Sequence, residues 1–224
     1  MKQIKKVFYN ILKLFSWTIS NKYLYVQYQM NDRGKSIFKR SNRAKFDSWD
    51  SVRRDMFALI VNDIKDVKGD FVECGVYKGH TAKLIHHIAP ERRLYLMDTF
   101  DGFRKEDDNN MEGVFGDTSV EGVFKYIAPE NSNVSIIEGR IPDSIPNDFK
   151  NKKFALIHLD MDIYLPTKAA IEFFYPRLSR GGYMILHDYN NIRWPGIKKA
   201  VDEYFKRTPI QMPDNGGSAI IQKI

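Results

Sequence analysis

The sequence has little cysteine and no repeated segment. Cys74 is the single cysteine in 224 residues, so an internal disulfide and a cysteine-based zinc site are both excluded. This cysteine usage suits a reducing cytoplasm. Apolar residues make up 43% of the chain, with 15 Phe and 12 Tyr, and this composition excludes a disordered protein. One α/β domain is the natural expectation for a chain of this length.

The sequence also lacks the G-x-G-x-x-G fingerprint of dinucleotide-binding folds. It has instead Glu73-x-Gly75-x-x-x-Gly79, within VECGVYKGH, at a predicted turn from a strand to a helix. Glycines at such a turn let the backbone approach a ligand, and the new helix offers free N–H groups. By itself this pattern is common in α/β proteins.

Basic residues are concentrated in the N-terminal part of the chain. Residues 1–54 carry a net charge of +10, whereas the remainder sums to −3. A nucleic-acid partner is therefore not expected, because binding would require a basic face on the folded domain. We interpret residues 1–54 as a basic helical arm or lid, and residues 55–224 as the main domain.

The arm opens with MKQIKKVFYNILKLFSWTIS, in which apolar residues follow helical spacing and most lysines lie off that stripe. The segment is too short and too charged to span a bilayer, and Lys13 interrupts the apolar run that a signal peptide needs. Two interpretations stay open. Residues 1–20 could lie on an anionic membrane at the inner face, or the helix could pack on its own domain or on a second subunit of a homo-oligomer.

Strand and helix patterns alternate from residue 55 onward. We predict helices at 54–66, 80–89, 118–127, 166–178 and 196–205, and strands at 69–76, 92–100, 132–140, 154–160, 181–189 and 218–224. This alternation predicts an α/β fold with a mostly parallel sheet covered by helices on both faces. Functional groups are then expected at the carboxyl ends of the strands.

Polar groups end five successive predicted strands, which supports that expectation. They are Glu73, Asp98, Glu138 with Gly139, Asp160 with Asp162, and His187 with Asp188. An acid at the end of the second strand is placed to accept hydrogen bonds from both ribose hydroxyls of a nucleoside. The end of the third strand lies near where an adenine edge would be.

The Asp160-x-Asp162 pair in FALIHLDMDIYLPT has more than one interpretation. It could hold a divalent metal under the diphosphate of a nucleotide sugar, as in many glycosyltransferases. That interpretation leaves Glu73, Gly79 and the position of Asp98 unexplained. Alternatively, the aspartates form the metal or base cluster of an enzyme whose cofactor binds elsewhere, and Asp162 either adds a ligand or caps the following helix.

Six short motifs follow one another along the chain in the order seen in one known family. They are FVECGVYKGHT, LMDTFDGF, FGDTSVEGV, GRIPDSIP, HLDMDIYLPT and GGYMILHDYNN. Over about residues 55–224 the chain resembles the macrocin O-methyltransferase-like (TylF) family. The resemblance implies a Rossmann-like class I methyltransferase fold with a seven-stranded sheet, S-adenosylmethionine as cofactor, and a divalent metal, usually Mg²⁺. Characterised members methylate a sugar hydroxyl.

The resemblance also implies roles for individual residues. Those expected to line the cofactor site are Glu73, Gly75, Tyr77, Gly79, Thr81, Asp98, Phe100, Glu138, Gly139 and Asp160. The implied metal ligands are Asp160 and Asp188, with Asp162 and His187 as further candidates, and Asp160, His187 and Asp188 are the implied catalytic residues.

This chain departs from the family at one of these positions. Members usually carry Asp-Asp-Tyr after strand five, whereas this chain has His187-Asp188-Tyr189. Mg²⁺ rarely takes imidazole. Three outcomes are therefore open: Mg²⁺ on Asp160 and Asp188 with water, a softer ion such as Mn²⁺, or His187 as a base without a metal bond.

The sequence thus predicts an S-adenosylmethionine-dependent O-methyltransferase, assisted by a divalent metal, that acts on a sugar hydroxyl. The acceptor class stays open among a polysaccharide, a nucleotide sugar and a glycosylated natural product. The alternatives are a metal-dependent glycosyltransferase and a non-catalytic S-adenosylmethionine-binding module that lost activity through His187.

Overall fold

The computed structural model describes residues 51–107, 111–127, 133–206, 209–211, 214 and 216–224. Nearly all of the predicted arm, residues 1–50, lies outside these ranges, so its helix, membrane contact and subunit contact stay predictions. Within the described ranges, no helix is both long and apolar enough to cross a bilayer.

Strands and helices alternate along the described chain. The helices are α1 (Ser51–Asp63), α2 (His80–Ile88), α3 (Val120–Ile127), α4 (Tyr164–Phe174) and α5 (Pro195–Phe205), with short 3-10 turns at Asn147–Asn151 and Tyr175–Arg177. The strands are β1 (Asp70–Cys74), β2 (Leu94–Asp98), β3 (Val134–Glu138), β4 (Phe154–Leu159), β5 (Leu178–Leu186), β6 (Ile210–Gln211) and β7 (Ala219–Gln222).

The seven strands form one sheet in the order β3-β2-β1-β4-β5-β7-β6. Strands β1 to β5 are parallel to one another, and β7 pairs antiparallel with both β5 and β6. The prediction of a mostly parallel seven-stranded sheet is therefore confirmed. The strand order reverses between β1 and β4, and in such sheets the ligand crevice lies outside the carboxyl ends at that reversal.

Helices cover both faces of the sheet, as predicted. Phe57 of α1, Ile85 of α2 and Val123 of α3 pack in one buried cluster, while Ile171 of α4 and Val201 of α5 belong to another. All six residues of β4 are buried, because a central parallel strand is covered on both faces and its sequence reads as a continuous apolar run.

Two helices differ from the sequence prediction by three or more residues at one end or both. Helix α1 runs from Ser51 to Asp63 rather than over 54–66, so it begins within the segment assigned to the arm. Helix α4 begins at Tyr164 and ends at Phe174, rather than spanning 166–178. Pro166 lies in the first turn of α4, where the missing N–H has no intrahelical partner to lose.

The sheet also departs from the prediction at its β5 side. The sequence predicts a strand that begins at Gly181, but β5 already begins at Leu178. Its pairing with β4 shifts between Phe154 and Leu156, and Gly181 has a φ of 83°. The glycines therefore form a bulge within the strand, which bends it. The two-residue strand β6 was not predicted, because it is too short to show a periodicity.

Candidate active site

The strand-end residues meet at the carboxyl edge of the sheet, around β1 and β4. The Asp160 N–H donates to the Cys74 carbonyl (2.8 Å), and the His187 N–H donates to the Leu159 carbonyl (2.9 Å). The parallel ladder thus continues one step past the strands and aligns the ends of β1, β4 and β5. Cys74 is buried, and burial raises its pKa well above the usual value, which supports a packing role.

Asp160, His187 and Asp188 form a compact cluster. The His187 Nδ1 lies 2.8 Å from Asp160 Oδ1 and 3.1 Å from Asp188 Oδ2. One ligand atom from each of the three residues lies within 4.8 Å of the others. Asp188 has a φ of 58°, and the Asn191 side chain donates to its Oδ1 (3.0 Å). The structure therefore brings together the three residues for which a catalytic role was predicted.

Asp162 belongs to the same cluster and does not cap a helix. The N-cap of α4 is Ile163, which makes no side-chain cap hydrogen bond, so the cap alternative is wrong. Asp162 has a positive φ of 64°. Instead of capping α4, the Asp162 carboxyl is hydrogen bonded to Asp188, and burial together with the charges of Asp160 and Asp188 raises its pKa to about 9. Asp162 is therefore protonated near neutral pH when no cation is bound, and it can donate to Asp188.

Opposing effects set the ionisation of the other cluster members. Burial would raise the pKa of Asp160, but His187, His158 and Arg53 together hold the pKa of this carboxyl below its usual value. For His187, burial lowers the pKa, while the carboxylates of Asp160 and Asp188 raise it, with a net result of about 10. The cluster thus favours positive charge at its centre, as expected of a cation site.

Arg53 and Asp214 complete the surroundings of the cluster, and neither was singled out from the sequence. The Arg53 guanidinium contacts His187 Nε2. The Nε of Arg53 donates to Asp214 Oδ2 (3.2 Å). Asp214 is held by the Ser218 N–H and hydroxyl, each at 2.7 Å. His187 therefore turns only Nδ1 towards Asp160 and Asp188. The available sequence signal was an arginine pair inside an apolar helical pattern, but Arg53 fell in the segment interpreted as the arm.

The predicted ribose acid lies directly against the glycine-bearing turn. Asp98 Oδ2 accepts hydrogen bonds from the backbone N–H groups of Val76 (2.5 Å) and Tyr77 (2.8 Å), and Oδ1 accepts one from Phe100 (3.0 Å). Tyr77 and Phe100 both have positive φ values, 49° and 55°. A carboxylate has about four lone-pair positions, so Asp98 can still accept from a ligand while it holds the turn.

The glycines of this turn are required by the chain's own packing. A Cβ at Gly75 (φ 84°) would lie 1.9 Å from the Asp160 carbonyl oxygen, and one at Gly79 (φ 78°) would lie 2.8 Å from Ile127 Cδ1. Gly75 therefore lets the end of β1 approach the end of β4 closely. The turn after β1 and the acid cluster thus lie against each other through the Gly75 and Asp160 backbones.

Glu73 is buried and has a partner inside the sheet. It pairs in register with His158 on β4, and the His158 Nδ1 lies 3.1 Å from Glu73 Oε1. Burial raises the pKa of Glu73, although His158 opposes the rise. The Glu73 Oε2 and His158 Nε2 atoms are buried without a hydrogen-bond partner in the described structure. Glu73 thus lies at the carboxyl end of β1, as predicted, and beneath the turn.

The remaining predicted cofactor residues lie around the same edge. Glu138 is opposite Asp98 in the β2–β3 register and is exposed, and the Gly139 N–H donates to the Asp98 carbonyl (2.8 Å). Thr81 lies in the first turn of α2. The predicted set therefore follows the ends of β1, β2 and β3 in sequence, while Asp160 belongs to both the cofactor side and the cluster.

The donor set fits a divalent cation. Two carboxylates and one imidazole nitrogen within 4.8 Å of each other match common sites for Mn²⁺, Fe²⁺ or Zn²⁺. Mg²⁺ would use the oxygen atoms of Asp160 and Asp188 and fill its other positions with water. The cluster can thus hold a cation beside the turn that carries the predicted cofactor residues.

The chain also resembles known proteins. Residues 49–216 match the family described as macrocin O-methyltransferase (TylF). Mycinamicin III 3''-O-methyltransferase from Micromonospora griseorubida is 30% identical over 161 residues, which cover 63% of this chain and 62% of that protein. Demethyldecarbamoylnovobiocin O-methyltransferase from Streptomyces niveus is 27% identical over 157 residues, which cover 62% of this chain and 59% of that protein. The chain spans about three-fifths of the length of these curated relatives.

Solved structures show the same architecture. The O-methyltransferase NovP aligns with a TM-score of 0.66 at 26% identity, over 77% of this chain and 79% of that one. The calicheamicin methyltransferase CalS11 aligns with a TM-score of 0.64 at 20% identity, over 82% of this chain and 80% of that one. The predicted Rossmann-like class I methyltransferase fold is thereby confirmed. The family match covers three-quarters of this chain, so the chain belongs to the macrocin O-methyltransferase (TylF) family.

Proposed function

We propose that this protein is an S-adenosylmethionine-dependent O-methyltransferase that acts on a sugar hydroxyl with the help of a divalent cation. One observation carries the proposal: the turn held by Asp98 and the cluster of Asp160, His187 and Asp188 lie side by side, joined at the contact between Gly75 and Asp160. Methyl transfer needs a donor site and an activated acceptor site that share a boundary.

The cofactor side is provided by the ends of β1, β2 and β3. S-adenosylmethionine supplies an activated methyl group, so the protein has to align it with an acceptor oxygen. Asp98, whose carboxylate keeps about one lone-pair position beyond its three backbone donors, would accept a hydrogen bond from a ribose hydroxyl, while the first N–H groups of α2 point towards the same turn. Glu138 ends β3 and Gly139 follows it, at the place proposed for the adenine edge.

The cation side is provided by Asp160 and Asp188, with His187 between them. A divalent cation in this cluster would lower the pKa of a sugar hydroxyl, which is too weakly acidic to ionise unaided near neutral pH. His187 presents only Nδ1 to the cluster because Arg53 contacts Nε2. Nδ1 can add a nitrogen ligand once a bound cation has displaced its proton to solvent; the ring proton then lies on Nε2, so Arg53, which can only donate, has to turn away from that atom. We infer that in this form the site prefers a softer ion such as Mn²⁺ over Mg²⁺. Asp162 stays within reach as a hydrogen-bond donor or a further ligand.

The acceptor class follows from the relatives. Their names specify hydroxyl methylation in mycinamicin III and in demethyldecarbamoylnovobiocin, and one structural neighbour is described as a TDP-rhamnose 3'-O-methyltransferase. A sugar carried on a natural product or a nucleotide is therefore the proposed acceptor, with a polysaccharide as a further candidate. Such acceptors and the single buried cysteine suit a reducing cytoplasm as the place of action.

The first test is titration calorimetry of the full-length protein with S-adenosylmethionine, S-adenosylhomocysteine and a panel of nucleotide sugars, each with Mg²⁺, Mn²⁺ or EDTA. We expect micromolar binding of both adenosyl ligands. Asp98→Ala should weaken it by about 10- to 100-fold, since hydrogen bonds to a charged group contribute about 1.5–3 kcal/mol. Asp101→Ala is the matched control, because Asp101 is exposed and pairs only with Arg104 at the surface.

The other outcomes separate the alternatives. Metal-dependent binding of a nucleotide sugar without any response to the adenosyl ligands would indicate a glycosyltransferase that uses Asp160 and Asp162. Binding of the adenosyl ligands without methyl transfer to any glycoside in the presence of either cation would indicate a non-catalytic binding module. Binding that Asp98→Ala leaves unchanged would contradict the proposed ribose contact.

A further inference from the structure

The loop that follows β2 has a fixed shape over residues 101–107 and 111–117, which we call the β2 loop. The Phe103 N–H donates to the Val114 carbonyl (3.1 Å), and the Gly113 N–H donates to the Phe103 carbonyl (2.8 Å). A Cβ at Gly102 would lie 2.7 Å from the Gly116 nitrogen. The two halves of the loop are therefore paired tightly, as in a hairpin.

The β2 loop is attached to the loops that follow three other strands. The Tyr77 hydroxyl, beyond β1, donates to Asp117 (2.7 Å). Arg140, beyond β3, is paired with Asp107. Arg193, beyond β5, contacts the sulfur of Met111 (3.5 Å). The β2 loop thus crosses the carboxyl edge of the sheet, where the candidate active site lies.

Four aromatic rings form a row along this crossing. The ring centroids of Tyr77 and Phe115 are 5.1 Å apart, those of Phe115 and Phe103 are 5.6 Å apart, and those of Phe103 and Trp194 are 5.8 Å apart. Phe115 is 37% exposed, whereas Trp194 is 8% exposed. Large apolar side chains left partly open beside an active site commonly serve ligand binding.

The two ends of the row mark the two halves of the site. At one end, the Tyr77 N–H donates to Asp98, the proposed ribose acid (2.8 Å). At the other end, the Trp194 N–H donates to the carbonyl of Asn191 (3.0 Å), whose side chain donates to Asp188 of the cluster (3.0 Å). The row therefore connects the turn held by Asp98 with the loop held next to Asp188.

We propose that this aromatic row is the sugar-binding wall of the acceptor site, with Phe115 and Phe103 packed against the apolar face of the pyranose that is methylated. The inference rests on the proposed function. A pyranose has an apolar C–H face and polar hydroxyls at its edge, and an aromatic face carries partial negative charge that favours C–H contacts. The hydroxyl edge would then be free to point towards Asp160 and Asp188. Phe115 is exposed and Phe103 is half-buried, so both rings still have surface to offer.

The test compares sugar binding with cofactor binding in full-length variants. The probes are a series of methyl hexopyranosides, including methyl α-L-rhamnopyranoside, measured by saturation-transfer NMR and titration in the presence of S-adenosylhomocysteine and Mn²⁺. The variants are Phe115→Ala, Phe103→Ala and Phe115→Trp. The matched control is Phe124→Ala, because Phe124 is 40% exposed but lies on α3, outside the row.

We expect the wild type to bind at least one of these glycosides. Phe115→Ala should weaken that binding by about tenfold or more, the usual effect of removing an aromatic anchor. The affinity for S-adenosylhomocysteine should change less than about twofold. Phe115→Trp should retain sugar binding because it keeps an aromatic face, and Phe124→Ala should behave as wild type. Thermal unfolding of each variant shows that a loss of binding is not a loss of fold.

Three results would overturn the inference. The first is unchanged sugar affinity in both Phe115→Ala and Phe103→Ala. The second is an equal loss of sugar and S-adenosylhomocysteine affinity, which would assign the row to the cofactor. The third is a wild-type protein that binds S-adenosylhomocysteine but none of the glycosides. A wild-type protein that binds no adenosyl ligand at all would instead reject the proposed function, and the inference with it.

Discussion

At the scale of single residues, Asp160 connects the two halves of the site. Its N–H donates to β1, its carbonyl lies against Gly75, and its carboxylate accepts from His187 Nδ1. His187 in turn is oriented by Arg53, which Asp214 holds from the C-terminal side of the chain. Groups that contact the second ring nitrogen of a histidine fix the orientation of the ring.

The residue at position 187 should therefore control cation preference. His187→Asp replaces the imidazole with a carboxylate, so we expect the ratio of Mn²⁺ to Mg²⁺ affinity to fall by about 10-fold or more, in the range that ligand changes produce. The measurement is calorimetric titration of both cations with S-adenosylhomocysteine present. Asp188→Asn is the comparison variant and should weaken both cations together. Equal cation preference in wild type and His187→Asp would show that the imidazole is not a ligand.

At the scale of secondary-structure elements, the close approach of β1 and β4 decides how near the donor and acceptor sites are. The turn after β1 begins at Gly75, where the chain leaves the strand with a positive φ and passes the end of β4. Glu73 and His158 pair just below this crossing on the same two strands. The geometry of the site is thus a property of the sheet and not of one flexible loop.

Gly75→Ala should be much more damaging than a substitution at a glycine with similar backbone angles. Both Gly75 (φ 84°) and Gly113 (φ 75°) are in the left-handed region, where a side chain costs roughly 1–2 kcal/mol. A Cβ at Gly75 would also overlap the Asp160 carbonyl, while a Cβ at Gly113 would meet nothing within 4 Å. We expect Gly113→Ala to lose only about 1–2 kcal/mol of unfolding free energy, and Gly75→Ala about 4 kcal/mol or more.

Urea unfolding of both variants measures this difference, and S-adenosylhomocysteine titration shows whether the turn is preserved. Similar losses in the two variants would mean that conformational strain alone, and not the β1–β4 contact, explains the glycine at position 75.

At the scale of the whole molecule, the charge is divided between the two parts of the chain. Residues 1–54 carry a net charge of +10, and residues 55–224 carry a net charge of −3. Helix α1 begins at Ser51, so the last four residues of the predicted arm already belong to a helix of the described domain. The amphipathic segment at residues 1–20 is the proposed contact with an anionic membrane surface; the alternative is that it packs on its own domain or on a second subunit.

Removal of residues 1–20 should abolish association with anionic liposomes and leave S-adenosylhomocysteine affinity unchanged. Full-length binding should also decrease with added salt, because the attraction between lysines and lipid head groups is screened. Liposome co-sedimentation at two salt concentrations checks both expectations. If the truncated protein sediments as before, the membrane role is wrong. If it instead changes from dimer to monomer in light-scattering measurements, the arm is a subunit contact.

Much of the fold and part of the site were predictable because they depend on local patterns. The strand and helix alternation, the mostly parallel sheet and the polar residues at successive strand ends follow from the period of apolar residues and from short motifs. The bulge at Gly181 and the short strand β6 did not follow, since each is defined by pairing with another strand and not by its own sequence.

The sequence by itself determined the α/β architecture, the family and the meeting of Asp160, His187 and Asp188, because parallel strands bring their carboxyl ends to one edge. The tertiary structure alone decided which partners these residues have. Arg53 and Asp214 reach the cluster from positions 161 residues apart, Asp162 pairs with Asp188 instead of capping α4, and Glu73 turns to His158. Such contacts depend on distances and burial that arise only when distant segments pack, and no local periodicity encodes them.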